Sequence, residues 1–401
     1  MIAKSLGRPI RRIVVVVTQQ IGDVLLATPL IREARRLWPE ATIDVIGFRG
    51  TLGMLRGNAD VGELIEAPPG SSGVSAWRLA RSGHWRRWDL ALVTQRNDRA
   101  HYYGFVAAPL RSGIIGADRS ATWWKRLLAV QSIVFAGDDG LLHAAVEKVR
   151  LLDPWQRPDA HRRRELPPDA GTALEPPPGL PRHGVVAPPS APLPGDVEAV
   201  LEAAPVVVHV PSVLAFKQWP AAHFRELVEA LLADGHQVVL TGGPSAADRR
   251  LVDEVASLAG PPRLVDVCGR LDFAQVAGLL RRAALFVGPD CSVSHLAAAC
   301  AVPMVALFGP TNPARWGPLD ATVPLDEPYA LHSPQPQRRG RVVVIQGPGA
   351  CVPCARAGCE DFDQSRSACL VGLLPGRVVE EARGVLARAQ APVGAGPETR
   401  V

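Results

Sequence analysis

The chain has 401 residues, 47% hydrophobic and 21% charged, with a formal net charge of +5. That length exceeds one ordinary core and fits two domains of roughly 150–200 residues. A mild positive charge spread over so large a chain excludes the dense basic face of a nucleic-acid binder, yet suits an anionic substrate or membrane surface. No segment reaches the roughly 20 unbroken apolar residues of a spanning helix. Basic residues precede the apolar run Ile13–Val17. That run is too short for a signal peptide and ends in Thr18-Gln19-Gln20, so it reads as a first strand and the protein as cytoplasmic. Seven cysteines in a reducing compartment argue against a disulfide framework.

Ile13–Val17 is a β-branched run of the kind buried in a parallel sheet. Apolar residues at helical spacing then run from Asp23 to Trp38, closed by Pro39. Ile43–Ile46 and Asp89–Val93 are the next strands. This alternation is that of a doubly wound α/β sheet. A proline-rich stretch from about Pro154 to Pro205, including Arg162–Pro168 and Glu175–Pro178, reads as an irregular interdomain connection. The pattern then restarts, with strands at Val206–Val210, Gln237–Thr241, Leu285–Val287 and Met304–Phe308. Helices are expected at Ala222–Asp234, Ala246–Ala259, Asp272–Ala284 and from Ser294 to Cys300. Arg377–Ala391 reads as a last helix that packs back across the domains. The expected division is 1–153, a connection 154–205, a second domain 206–375, and a helix and tail 376–401. Two such domains place ligands between them, at the carboxyl ends of their strands.

Five segments carry chemistry. Ile21-Gly-Asp-Val-Leu-Leu-Ala-Thr-Pro29 follows a strand. Asp23 there fits a helix cap, and equally a carboxylate that takes a proton from an acceptor hydroxyl. Thr241-Gly-Gly-Pro244 reads as a simple turn or as a place where a ligand approaches the backbone. Leu285–His295 ends a strand and leads through Asp290, Cys291, Ser292 and Ser294 into a small-residue helix, whose free N–H groups suit a phosphate. His295 is either a buried, satisfied histidine or part of that site. Lys217, in the loop Pro211–Trp219, is either solvated or a point charge for a diphosphate. The fifth is Cys351-x2-Cys354-x4-Cys359-x9-Cys369, whose spacing fits a structural Zn or Fe site of four thiolates, with free thiols as the alternative. Cys268, Cys291 and Cys300 are scattered and expected to be packed.

Taken in order, these segments resemble glycosyltransferase family 9, the ADP-heptose:lipopolysaccharide heptosyltransferases. The resemblance rests on Gly22-Asp23-Val-Leu-Leu-Ala-Thr-Pro29, Phe216-Lys-Gln-Trp-Pro-Ala-Ala-His-Phe224, Thr241–Pro244, Cys268-Gly-Arg-Leu271, Val287–Ala298 and Leu307-Phe-Gly-Pro-Thr-Asn-Pro313. It covers both halves, from about Ile13 to about Pro318. It implies a GT-B fold, with the acceptor in the first domain, the donor in the second, and inverting transfer that needs no metal for chemistry. Carried over by position, Asp23 is the general base. Ser212 and Lys217 meet the donor diphosphate, with Gly242 and Gly243 beside the donor. Leu271 lines the adenine pocket, and Asp290, Cys291, Ser292 and His295 form the loop beside the diphosphate and sugar. The implied partners are ADP-heptose, an anionic lipid-linked glycan and the cytoplasmic face of the inner membrane.

Three departures bear on specificity. The loop before Gly22 reads Thr18-Gln19-Gln20 where relatives often carry a basic residue. The donor loop reads Asp290-Cys291-Ser292 where the family commonly has Asp-(Ser or Thr)-Gly. Ala246 stands where a carboxylate often holds ribose, and Asp248 is the nearby substitute. Arg96 and Arg99, after the strand ending at Val93, are either solvated or bind the acceptor's acidic groups. Another nucleotide-sugar or acceptor, or nucleotide binding without turnover, stays open on these residues.

Overall fold

A computed structural model describes residues 9–129, 131–135, 142–156, 165–166, 184–257, 263–321, 323 and 329–390. Among them are two seven-stranded sheets. The first contains β1 (Arg12–Val17), β2 (Thr42–Gly47), β3 (Leu64–Glu66), β4 (Leu90–Val93), β5 (Leu110–Gly116), β6 (Gln131–Phe135) and β7 (Glu165–Leu166). Its order is β3-β2-β1-β4-β5-β6-β7, with parallel neighbours throughout. The second contains β8 (Val206–His209), β9 (Val238–Thr241), β10 (Leu264–Asp266), β11 (Leu285–Pro289), β12 (Met304–Phe308), β13 (Gln337–Arg339) and β14 (Val342–Gln346). Its order is β10-β9-β8-β11-β12-β14-β13, parallel except at the β13–β14 edge. In each half the strand order reverses beside the first strand, between β1 and β4 and between β8 and β11. That reversal is where a doubly wound sheet opens a crevice for ligands.

In the first half, the helices used below are α1 (Ile21–Leu25), α2 (Thr28–Leu37), α3 (Ser72–Leu79), α4 (Asp98–Ala107), α5 (Arg119–Leu128) and α6 (Ala144–Val149). In the second they are α7 (Ala221–Ala233), α8 (Ala246–Ala256), α9 (Phe273–Arg282), α10 (Ser292–Ala299) and α11 (Pro375–Gln390). Central strands are valine- and isoleucine-rich because both faces are covered by helices, and Ile13 to Val17 are all fully buried. One continuous apolar cluster joins the halves, taking Ile13, Val15 and Leu25 together with Val207, Phe286 and Met304. Two buried polar contacts tie them as well. His143 Nε2 donates to the Gly317 carbonyl at 2.9 Å, and Arg315 pairs with Glu147 at 2.8 Å. Among the described residues no helix is long and apolar enough to cross a membrane.

Four expectations need correction. The helix expected over Asp23–Trp38 is two helices, because Pro29 at the head of α2 has no N–H to continue α1. The connection expected over 154–205 is shorter. It contributes β7 to the first sheet, and from about residue 188 it already packs on the second half. There Arg281 donates to the Ser190 hydroxyl and the Pro188 carbonyl, and Arg282 pairs with Glu198. Its segments 157–164 and 167–183, and positions 258–259 of the helix expected over Ala246–Ala259, lie outside the described residues. Among the described residues the last helix packs on the second half, and position 391 of the expected helix lies outside them. Val378, Val379, Ala382, Val385 and Leu386 of α11 join the second half's own core. Finally, Ser292 and Ser294 belong to α10 and not to the loop before it.

Candidate active site

The loop leaving β1 is tied across the switch point of the first sheet. The Thr18 N–H donates to Gln95 Oε1, just beyond β4, at 2.8 Å. Helix α1 begins at Ile21, and the residue at its cap is Gln20, whose side chain makes no capping bond. Asp23 therefore does not serve as the cap, one of the two readings its position allowed. It lies within the first turn, is 9% exposed, and pairs with Lys148 Nζ at 3.2 Å. Lys148 sits on α6 and is 2% exposed. It belongs to no motif, and only a lysine inside the apolar stretch Ala144-Ala-Val-Glu-Lys-Val149 hints at it.

In the second half, β11 runs on to Pro289, and the Asp290 N–H donates to the Leu307 carbonyl of β12 at 3.0 Å. The Asp290 carboxylate meets Lys217 Nζ at 2.8 Å. Lys217 lies on a single turn, Ala215–Lys217, after β8. Gln218 staples this loop. Its Oε1 accepts from the Ser212 N–H at 2.7 Å, and its Nε2 donates to the Val210 and Trp219 carbonyls. Cys291 has extended backbone, and burial pushes its thiol up. Its sulfur lies 3.6 Å from the Ser294 hydroxyl, which donates onward to the Pro289 carbonyl. His295 is buried, and burial holds its imidazole down at about 4, so it is neutral at neutral pH. Asp290 and Asp23 favour its charged form, whereas Lys217 and Lys148 oppose it, so all four charged groups surround one ring. Its Nδ1 is buried without a partner, as is the Thr311 hydroxyl beyond β12.

Glycine 22 closes the two half-sites on each other. A Cβ there would stand 3.6 Å from His295 Cδ2 and 3.6 Å from Ser292 Cα, so α1 packs directly on α10. The base candidate Asp23 thus lies beside His295 of α10, next to the Lys217–Asp290 pair carried by the segments after β8 and β11. The carboxyl edges of β1, β8 and β11 converge on this place.

The other expected residues sit around it. Gly242 and Gly243 follow β9, but protein fills the space beside them: a Cβ on Gly242 would stand 2.7 Å from Cys268 Sγ, and one on Gly243 2.5 Å from Asp248 Oδ2. Asp248 is thereby at the strand edge, while Ala246 is exposed. Leu271 is half-buried against the apolar cluster shared by the halves. Arg99 begins α4, donates to the Gly70 carbonyl at 3.1 Å and lies over the Phe48 ring; Arg96 is exposed, and its carbonyl accepts from Lys125.

Cys351, Cys354, Cys359 and Cys369 share one segment, and all are free thiols. Burial pushes the Cys369 thiol up to about 11, with the neighbouring sulfurs of Cys354, Cys359 and Cys351 adding to the push. Yet among the described residues no three metal-ligating side chains converge on one point. Cys369 is buried beside Gly309, whereas Cys351 and Cys359 face outward and Cys359 accepts a bond from the Ala368 N–H.

Comparison with known proteins supplies the chemistry that such a site performs elsewhere. The profile of glycosyltransferase family 9 (heptosyltransferase) matches residues 196–325. Lipopolysaccharide heptosyltransferase 3 of Escherichia coli is 26% identical over 312 residues, 74% of this chain and 83% of its own length. Lipopolysaccharide heptosyltransferase 2 of Escherichia coli K12 is 26% identical over 401 residues, covering 95% of this chain and 100% of its own. The solved ADP-heptose lipopolysaccharide heptosyltransferase II of Escherichia coli superposes with a TM-score of 0.67 at 21% identity, covering 95% of this chain and 100% of that one. That likeness shows the fold: two facing Rossmann-like domains in the GT-B arrangement.

Proposed function

The chain belongs to glycosyltransferase family 9, and from that membership we propose that it moves heptose from ADP-heptose to the inner core of lipopolysaccharide, with inversion at the anomeric carbon. The single observation that carries the mechanism is the packing of Gly22 on Ser292 and His295, which sets Asp23 across from the donor loop. Asp23 takes the proton of the acceptor hydroxyl. The oxygen attacks the anomeric carbon from the face opposite ADP, and the bond to the β-phosphate oxygen breaks. The charge that develops on the leaving diphosphate is met by Lys217 and by the first N–H groups of α10. Lys217 exchanges its Asp290 partner for diphosphate oxygens when the donor arrives. Neutral His295, with a free ring nitrogen, offers a hydrogen bond to the donor without adding charge.

The chemistry requires no metal, because Lys217 and backbone donors meet the leaving group. A four-thiolate Zn or Fe centre at Cys351, Cys354, Cys359 and Cys369 is a separate structural proposal, supported by their spacing and shared segment. The acceptor is an anionic, lipid-linked glycan, with Arg96 and Arg99 as its first-half contacts. The enzyme works at the cytoplasmic face of the inner membrane.

The test is ADP release from ADP-heptose with a heptose-deficient core acceptor, compared with UDP- and GDP-sugars. ADP-heptose is expected to be preferred, and Asp23→Asn to slow turnover by roughly 10²–10⁴-fold with donor binding kept. Undiminished turnover in Asp23→Asn removes Asp23 from the chemistry. ADP binding without turnover in the unaltered protein makes the chain a nucleotide-binding module.

A further inference from the structure

Exposed tryptophans and two packed aromatic pairs lie on α3, α4, α5 and the segment between α3 and β4 of the first half, and the transfer reaction uses none of them. Tyr102 and Phe105 stand three residues apart on one face of α4. Trp85 meets Phe105 edge-on at 6.1 Å, and Trp124 stacks on Tyr102 at 5.0 Å. Helix α3, packed against α4, adds Val74 and Trp77 to the same half. Trp77, Trp85 and Trp123 are 57%, 54% and 61% exposed. Single exposed apolar residues need no explanation, but three exposed tryptophans on neighbouring elements, one of them packed on Phe105, mark an interaction surface.

Charge indicates what meets it. Arg81 lies 4.8 Å over Trp77, Arg86 5.3 Å over Trp85 and 5.0 Å over Phe105, and Arg111 5.4 Å over Phe105. Nearby carboxylates are already engaged: Asp98 pairs with Lys125 at 2.5 Å, and Asp118 accepts from the Ser120 and Ala121 N–H groups. The belt therefore offers tryptophan rings, whose amphipathic faces favour the boundary between headgroups and acyl chains, together with the exposed Arg81 guanidinium for phosphates, while Arg86 and Arg111 also donate to the Ala108 and Leu128 carbonyls. Helix α4, which carries the middle of the belt, begins at Asp98-Arg99, beside the expected acceptor contacts.

We propose that this belt docks the protein on an anionic lipid bilayer, presenting the Arg96–Arg99 end of α4 to a lipid-linked acceptor. The proposal rests on the lipid-linked acceptor assigned above. The test uses the full chain and vesicles without acceptor: phosphatidylethanolamine with phosphatidylglycerol, against phosphatidylcholine alone. Co-sedimentation and a blue shift of tryptophan emission are expected only with the anionic vesicles, and weaker at high salt. The triple variant Trp77→Ser, Trp85→Ser, Trp123→Ser should bind at least about tenfold more weakly. Its melting temperature and its turnover of a deacylated, soluble acceptor should be unchanged. Arg81→Glu should weaken binding and flatten its salt dependence.

Equal binding to neutral vesicles overturns the proposal, as does wild-type binding by the triple variant. Self-association abolished by the same substitutions, without vesicle binding, assigns the belt to a second copy of the chain and overturns it too. Because no donor or acceptor is present, vesicle binding without turnover of ADP-heptose defeats the proposed reaction alone, and turnover without vesicle binding defeats this proposal alone.

Discussion

Lys148→Met isolates what a buried ammonium does for Asp23. Methionine keeps most of the length and volume of the lysine stem, so α6 stays packed and the change is chiefly one lost charge. The charge is lost where there is little water. The side chains of Lys148 and Asp23 are 3% and 11% exposed and stand 3.2 Å apart. Removing one partner of a buried pair costs about 3–5 kcal/mol, because the other charge is stranded. The residual exposure of Asp23 sets the expectation at the lower end, about 3 kcal/mol. In a domain of this size that is a fall in Tm of roughly 6–12 °C. Adding Asp23→Asn removes the stranded carboxylate, so the double variant should regain most of the loss, with a coupling of roughly 2 kcal/mol in a double-mutant cycle. Turnover gives a second readout. With Lys148→Met the carboxylate is present but unheld, and acceptor-dependent ADP release should fall by about 10²-fold while ADP affinity stays near wild type, since Lys217 is intact. The assays are thermal melts of the four proteins, single-turnover ADP release and ADP titration. Single-variant losses that add within about 0.5 kcal/mol, together with wild-type turnover in Lys148→Met, would refute the coupling.

Stability should also follow the buried histidines. Burial holds His101, His209 and His295 at about 4 and His143 at about 3, against an ordinary value of 6.5. The unfolded chain therefore takes up protons that the folded chain refuses, so stability is full above pH 6.5 and is lost as pH falls towards 4; a melting temperature that stays flat across that window would contradict it. Gly242→Ala forces a Cβ to 2.7 Å from Cys268 Sγ and 3.2 Å from Pro211 Cγ, an overpacking expected to cost about 1–3 kcal/mol and to weaken ADP binding. The control Gly73→Ala, in helix α3 with nothing within 4 Å, should instead raise stability slightly. Protein purified without oxygen should carry Zn or Fe near unit stoichiometry and lose it in Cys354→Ser; metal-free protein ends that proposal.

Much of the scaffold can be read directly from the chain. Ile13–Val17 and Met304–Phe308 are strands because β-branched and apolar runs of that length suit a sheet covered on both faces. Val342–Gln346 is a run of the same kind and forms β14. Pro29 inside the first helical pattern is itself a break signal, outweighed in the reading by the apolar spacing around it. Lys148 is harder. It lies 125 residues from Asp23, in a segment without a motif, and the two meet only because α2 packs on α6. Glu147 and Arg315 are separated by 168 residues in the same way. The first pair follows from helix packing within the first half and the second from how the two halves dock, and no local periodicity records either.

The donor loop is where sequence and geometry disagree most usefully. Asp290-Cys291-Ser292 lacks the glycine its relatives commonly carry, and a lost glycine suggests a backbone with less freedom and an altered donor fit. The backbone here does not ask for one. Cys291 has φ −150° and ψ 174°, an extended conformation open to any residue, and Ser292 is the first residue of α10. Neither is among the positive-φ positions of the described chain. What glycine would otherwise supply is room, and room is found across the interface. Gly22 has no side chain, and a Cβ built on it would stand 3.7 Å from Ser292 Cβ, in ordinary contact. The side chain of Ser292 therefore fits beneath α1 without moving Asp23 or His295. The missing glycine is thus no argument against the usual donor, because Ser292 between Gly22 and the head of α10 needs neither a glycine's backbone nor its room.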